Sequence, residues 1–335
     1  MKNQNVAKFI RLTSFLLIAA VLFVATSFAF ERKTNIAKMK EFYSLEQNSL
    51  DYIVLGSSHA YCTINPLEVW NESGLRGFVL ASQCQPIRAT YHYVVEAFKT
   101  QSPKYIFIEG YMLKNVLSDA TEAILYDAID PLDTSINKID MINRLTESDQ
   151  REAYLFNILK YHTRWKELIA NGAKNFFHQP IDTYKGFNAF EGTESRTLRE
   201  SNYDSVEAVE IPKDNIEMFN KILEVVKENN AELILMIAPY HESIDPKICG
   251  IMKSARIWAE ENDLKIVDYS LLLDELNIEG DKDYYDSGHL DVSGAKKTSV
   301  YLADYLLENG LKKSNSSMDE IYKRDYAEFV KKYPQ

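Results

Sequence analysis

Five short apolar runs, at 52–55, 77–81, 105–108, 233–238 and 265–267, recur along this 335-residue chain, with helix-length segments at 87–100, 216–229 and 246–262 among them. Each run is too short for a helix, and near-continuous apolarity rather than strict alternation marks strands buried on both faces. Strands alternating with helices of this length predict a parallel sheet with right-handed crossovers. A last helix is expected at 294–308. The α/β body then spans 51–310, and the alternation lapses only between 111 and 211. That stretch is polar and aromatic-rich, with helices expected at 136–146 and 152–171. It reads as an insertion between the third and fourth strands, over the C-terminal strand ends where open α/β sheets place their ligands. Residues 31–50 read as a polar, Lys-rich linker. The tail at 311–335 is heavily charged, and 318–332 is expected to form an exposed, solvated helix.

The N-terminus sets a second constraint. From 12 to 30 there is no charged residue, and nineteen helical residues rise about 28 Å, close to the hydrocarbon thickness of a bilayer. Lys2, Lys8 and Arg11 precede the run, which favours an inside N-terminus, although Arg32 and Lys33 on the far side blunt that bias. The run is long for a cleaved signal peptide, whose cleavage site would use Ser27 and Ala29, so residues 1–30 are read as an uncleaved single-pass anchor. Either reading exports the body. The formal charge is −11, and residues 1–40 carry seven positive residues against Glu31 alone, a balance of +6 that leaves −17 for the remainder. A body this acidic lacks the basic footprint that nucleic-acid binding requires.

Three scattered cysteines, Cys62, Cys84 and Cys249, form no CxxC pair, and the six histidines show no HExxH spacing, so no metal and no cofactor are expected. Two short motifs carry chemistry instead. Leu55-Gly56-Ser57-Ser58-His59 follows the first strand, and Asp286-Ser287-Gly288-His289 precedes the last helix. In a parallel α/β sheet both fall on the C-terminal edge. Serine is a weak nucleophile that needs an adjacent base, itself held in orientation and tautomer by a third group. Asp286 and His289, three residues apart on one turn, can supply that orienter and base, with Ser58 as nucleophile and Ser57 as the less favoured alternative. A serine opening a helix also has backbone N–H groups directed at any oxyanion formed there. The G-x-S-x-G elbow of α/β-hydrolases is not present, since the chain reads Gly56-x-Ser58-x-Ala60.

On Gly56-Ser57-Ser58 and Asp286-x-x-His289, over about 51–110 and 212–310, the chain resembles the SGNH (GDSL-like) hydrolase superfamily. The resemblance implies a flavodoxin-like three-layer α/β/α sandwich with a Ser58–His289–Asp286 triad. Its oxyanion hole would use the backbone N–H groups of Ser58 and Cys84. Two positions depart from the pattern. Cys84 stands where the second block offers a glycine, and Ile108-Glu109-Gly110-Tyr111 lacks the third block's asparagine. Gln83 or Gln85 are candidates to replace that donor. With its single N-terminal helix the chain is also similar to membrane-anchored members of surface acylation systems, such as the D-alanyl transfer protein of teichoic-acid modification. That similarity implies an extracytoplasmic esterase or O-acyltransferase acting on acyl esters of a cell-surface glycan or polyol, with a membrane-bound O-acyltransferase as partner. The rival is a non-catalytic scaffold binding such a glycan or partner. His59, Gln83, Gln85, Glu109 and His241 are the possible substrate contacts, and Tyr161 to Trp165 offers a further recognition surface or a docking face for the insertion.

Overall fold

A computed structural model describes residues 2–30, 33–114, 117–166, 184–192, 194, 201–239 and 246–334. Strands β1 (Tyr52–Gly56), β2 (Gly77–Ala81), β3 (Tyr105–Glu109), β4 (Glu232–Ile237) and β5 (Lys265–Asp268) form one sheet in the order β2-β1-β3-β4-β5, every neighbouring pair parallel. This is the doubly wound order whose chain direction reverses between β1 and β3, a switch that opens a crevice at their carboxyl ends. Alternate residues feed two cores. Ile53, Leu55, Phe78, Leu80, Ile106 and Ile108 point to one side, and Tyr52, Val54, Val79, Tyr105, Phe107 and Met236 to the other. That two-sided burial is why the strands read as unbroken apolar runs.

The helices are α1 (Lys2–Phe30), α2 (Lys33–Ser44), α3 (Ser58–Thr63), α4 (Pro66–Ser73), α5 (Ile87–Ala97), α6 (Glu122–Ile129), α7 (Ile136–Leu145), α8 (Arg151–Leu155), α9 (Asn157–Tyr161), α10 (Lys213–Glu228), α11 (Pro246–Glu261), α12 (Val292–Glu308) and α13 (Asp319–Lys332). Helix α1 is long and apolar enough to cross a membrane, and none of its apolar stretch is buried. Helix α4 shows how locally encoded ends work. The Asn65 side chain accepts from Leu67 N–H, Pro66 sits in the first turn, and Gly74 closes the helix in the left-handed conformation with φ 73°.

Three expectations are corrected. The linker at 31–50 is largely α2, which buries Ile36, Met39 and Phe42, with Leu45 buried just beyond it. Its lysines hid an apolar stripe at three-residue spacing. The tail helix α13 is not exposed: Tyr322, Asp325 and Phe329 are buried, and Tyr322 Oη donates to Gly77 O at 2.7 Å. The helix expected at 152–171 is broken after Leu155, where Phe156 is extended, and its end lies outside the described residues.

The insertion binds the body at several places, Val209 N–H donating to Gly250 O at 3.0 Å among them. Helix α7 packs against α5, and residues 184–190 run beside the edge strand β2, where Lys185 O accepts from Val79 N–H at 2.9 Å. There the fully buried Lys185 ammonium lies 2.5 Å from both Glu41 of α2 and Asp325 of α13. A buried cation is tolerable only with such partners.

Candidate active site

The crevice between β1 and β3 is filled from both strand ends. Gly56 has φ 156°, and a Cβ there would stand 2.6 Å from the Cβ of Glu109, so only glycine allows the chain to turn this tightly against β3. Ser57 then caps α3, its Oγ accepting from His59 N–H at 3.3 Å and donating to Glu109 Oε2 at 2.9 Å. The second Glu109 oxygen accepts from Tyr111 N–H at 2.8 Å. Ser57 and Glu109 are thus a cross-strand brace, and Glu109, once a candidate substrate contact, is buried in holding the turn.

The brace presents Ser58 at the first turn of α3. Its Oγ lies 2.8 Å from His289 Nε2, and His289 Nδ1 lies 2.9 Å from both oxygens of Asp286. Asp286 Oδ1 further accepts from the backbone N–H of Gly288 at 2.9 Å and of His289 at 3.0 Å. Partial burial opposes ionisation of Asp286, yet the Gly288 N–H and the His289 ring outweigh it and hold the carboxyl below its usual range. The tautomer follows: Nδ1–H donates to Asp286, and Nε2 accepts the serine proton.

His59 is not on the open side. It is buried, its ring stacked on His289 at 4.8 Å between centroids and lying 4.0 Å from that of Tyr111. Burial first, then the neighbouring His289, push its pKa down to about 3. It is a flat support for the His289 ring. The unfolded chain binds a proton at this position below about pH 6.5, while the folded chain does not until about pH 3. Stability should therefore be full above pH 6.5 and fall as the pH drops, by about 1.4 kcal/mol per unit at most. Asp286 adds its own loss only below the ordinary carboxylate range. Urea unfolding of the full-length protein and of His59→Gln between pH 7 and 4 should give a steeper slope in the first, since buried His92, whose pKa burial also lowers, adds its own slope to both. Parallel slopes would refute the assignment.

Cys84 lies in the loop after β2 with φ 46°, the left-handed region that glycine adopts freely. The cysteine therefore keeps the backbone shape of a glycine at that point. Among the described residues no protein group accepts from the N–H of Cys84 or of Ser58. Gln85 is no substrate contact: it is fully buried between Ser82 and Thr90. Gln83 is exposed and lines a cavity of about 250 Å³ with Lys38, Tyr61, Ser82, Asp127 and Asn188. The Tyr61 hydroxyl neighbours Ser58, Cys84 and Asn188, which joins this cavity to the triad. His241 lies outside the described residues.

Several contributors were not foreseen. Phe190 of the insertion stacks on Tyr285 at 4.7 Å and lies 5.9 Å from His289. Asn188 N–H donates to Tyr61 O at 2.9 Å, which brings its amide side chain to the cavity. Lys38 of α2 donates to Ala81 O at 2.7 Å and sits over the Tyr61 ring. The one signal in the sequence is the pair of aromatics, Phe187 and Phe190, in an otherwise polar stretch.

No family model matches the chain, and no curated protein matches it. Among solved structures it is similar to a GDSL-like lipase from Bacteroides thetaiotaomicron, with 12% identity and a TM-score of 0.38 over 82% of this chain and 100% of that one. It is similar to a catalytic mutant of an acetylxylan esterase from Geobacillus stearothermophilus, with 13% identity and a TM-score of 0.36 over 81% and 100%. A protein described as lipolytic, of the G-D-S-L family, from Desulfitobacterium hafniense gives 11% identity and a TM-score of 0.40 over 76% and 98%. Likenesses this distant add nothing to the strand order and side-chain distances above.

Proposed function

We propose that the protein is a serine acyl hydrolase or O-acyltransferase of the SGNH type, anchored by α1 with its body outside the membrane. The observation that carries this reading is the unbroken relay from Ser58 Oγ through the His289 ring to Asp286. Ser58 Oγ bonds to the acyl carbon while its proton passes to His289 Nε2. Asp286 stabilises the imidazolium, and the N–H groups of Ser58 and Cys84 hold the oxyanion. Collapse breaks the ester bond, and the departing alkoxide takes the proton back from His289. Water or an acceptor alcohol then resolves the acyl-enzyme by the same route. The polar cavity beside Ser58, with an ammonium, a carboxylate and two amides on its wall, supports a polyol or sugar ester of the cell surface as substrate.

A second reading is favoured by one observation: Glu109 occupies the end of β3 as a brace, with no asparagine there to donate to an oxyanion. Under that reading the body binds a glycan or a membrane-bound O-acyltransferase without turning over an ester. A fluorophosphonate probe separates the two. Covalent addition should map to the peptide carrying Ser58, whereas a folded protein that takes up no probe would favour the binding scaffold.

A further inference from the structure

The junction of α8 and α9 and the segment just beyond it expose several large apolar side chains. Two polar groups of α9 face the body: Lys160 and Tyr161 both bond to the buried Asp130, and the Lys160 side chain is wholly buried, while Glu152 of α8 is exposed. The apolar groups face out, with Leu155 44%, Phe156 42%, Leu159 47% and, just beyond α9, Trp165 51% exposed. In water this arrangement exposes the surface that burial normally removes.

The position of the patch identifies what covers it. Phe156, turned outward by the extended break between α8 and α9, packs edge-on against Phe23 of α1 with ring centroids 5.5 Å apart. Along α1, residues 4–25 stand exposed, while Thr26, Ser27, Ala29 and Phe30 are half-buried by the body. The uncharged run 12–30 rises about 28 Å, close to the hydrocarbon thickness, and Phe23 lies about 10 Å inside its body-side end. The patch is therefore level with the body-side half of that layer. At its rim Lys166 Nζ lies 5.5 Å from the centre of the Trp165 ring, the aromatic and basic pairing that settles at membrane interfaces.

We infer that residues 155–165 form a second membrane contact, with Leu155, Phe156, Leu159 and Trp165 seated in the outer leaflet beside α1. This rests on the reading of α1 as an uncleaved anchor. Two points of attachment fix the body's rotation about α1, so the mouth of the Ser58 cavity holds a constant height and azimuth above the lipid.

Tryptophan fluorescence tests it with the full-length protein reconstituted in phosphatidylcholine vesicles containing a minority of phosphatidylglycerol. The difference between the wild type and Trp165→Phe isolates Trp165 from Trp70 and Trp258. Lipid brominated high in the acyl chain should quench that signal at least about two-fold more than aqueous iodide does. A second probe, Leu159→Trp in the Trp165→Phe background, should behave the same and covers any misfolding at position 165. Quenching by iodide would mean a solvated face and overturn the inference. Resistance to both quenchers would mean a protein covers the patch, a second copy or a membrane partner, and would overturn it equally. Intact mass and carbonate extraction of the cellular protein report on the anchor separately. A chain that lacks residues 1–30 or leaves the membrane defeats the anchor and with it this inference, whereas an integral chain quenched by iodide defeats the inference alone.

Discussion

Hydrolysis of p-nitrophenyl acetate by the full-length protein should disappear in Ser58→Ala, with a loss on the order of 10⁶-fold in kcat where the serine acts as one unit with its base. The informative comparison is Ser57→Ala, one residue away. Ser57 caps α3 and braces Glu109, so its loss should lower stability by about 1 kcal/mol and weaken activity through geometry alone. Ser58 is at the helix start and within hydrogen-bonding reach of His289, so its loss should leave the fold unchanged. Circular dichroism and thermal unfolding would establish that both variants are folded. If Ser58→Ala hydrolyses the ester as the wild type does, the nucleophile is misassigned.

Asp286→Asn is expected to cost on the order of 10⁴ in kcat while leaving the loop in place, because it reverses a tautomer. One Asp286 oxygen is committed to two backbone N–H groups, those of Gly288 and His289. An asparagine must place its carbonyl oxygen there to keep both bonds, which turns its NH₂ toward His289 Nδ1. The ring then accepts at Nδ1, carries its proton on Nε2, and has no lone pair for the Ser58 hydroxyl. Steady-state kinetics with an unchanged KM and a collapsed kcat would match this account. A loss below ten-fold would show that Asp286 does not set the state of the ring.

The parts of the site legible in the sequence were those built from neighbours in the chain. Asp286 and His289 make their mutual contacts within one turn, so their spacing alone announced the pair. The parallel sheet was legible in apolar runs buried on both faces, whereas its strand order β2-β1-β3-β4-β5 is set by the tertiary fold. The choice between Ser57 and Ser58 depends on Glu109, fifty-two positions away, which no local pattern reveals. His59 and Gln85 were candidate contacts because polar residues near a nucleophile could equally face a ligand or the interior. Burial decided for the interior. Helices α2 and α13 were obscured by their own charge: lysines and acids crowd the outer faces of stripes that are buried. The cavity wall draws on α2, α3, the end of β2 with its loop, α5 and the insertion, five segments whose convergence only the tertiary fold brings about.

If α1 is the anchor proposed above, the Lys185 cluster joins the helix that follows the anchor, the insertion that reaches the candidate site, and helix α13. Mechanically this makes the tether part of the folded body rather than a leash on it. Tension drawn through the anchor passes through Glu41 into the flank of β2, and a protease clipping after α2 would carry off one wall of the core. On the proposed reading of α1 as an anchor, a cut at that point would cost the released body stability as well as position, whereas a cut between α1 and α2 would leave the Lys185 cluster whole.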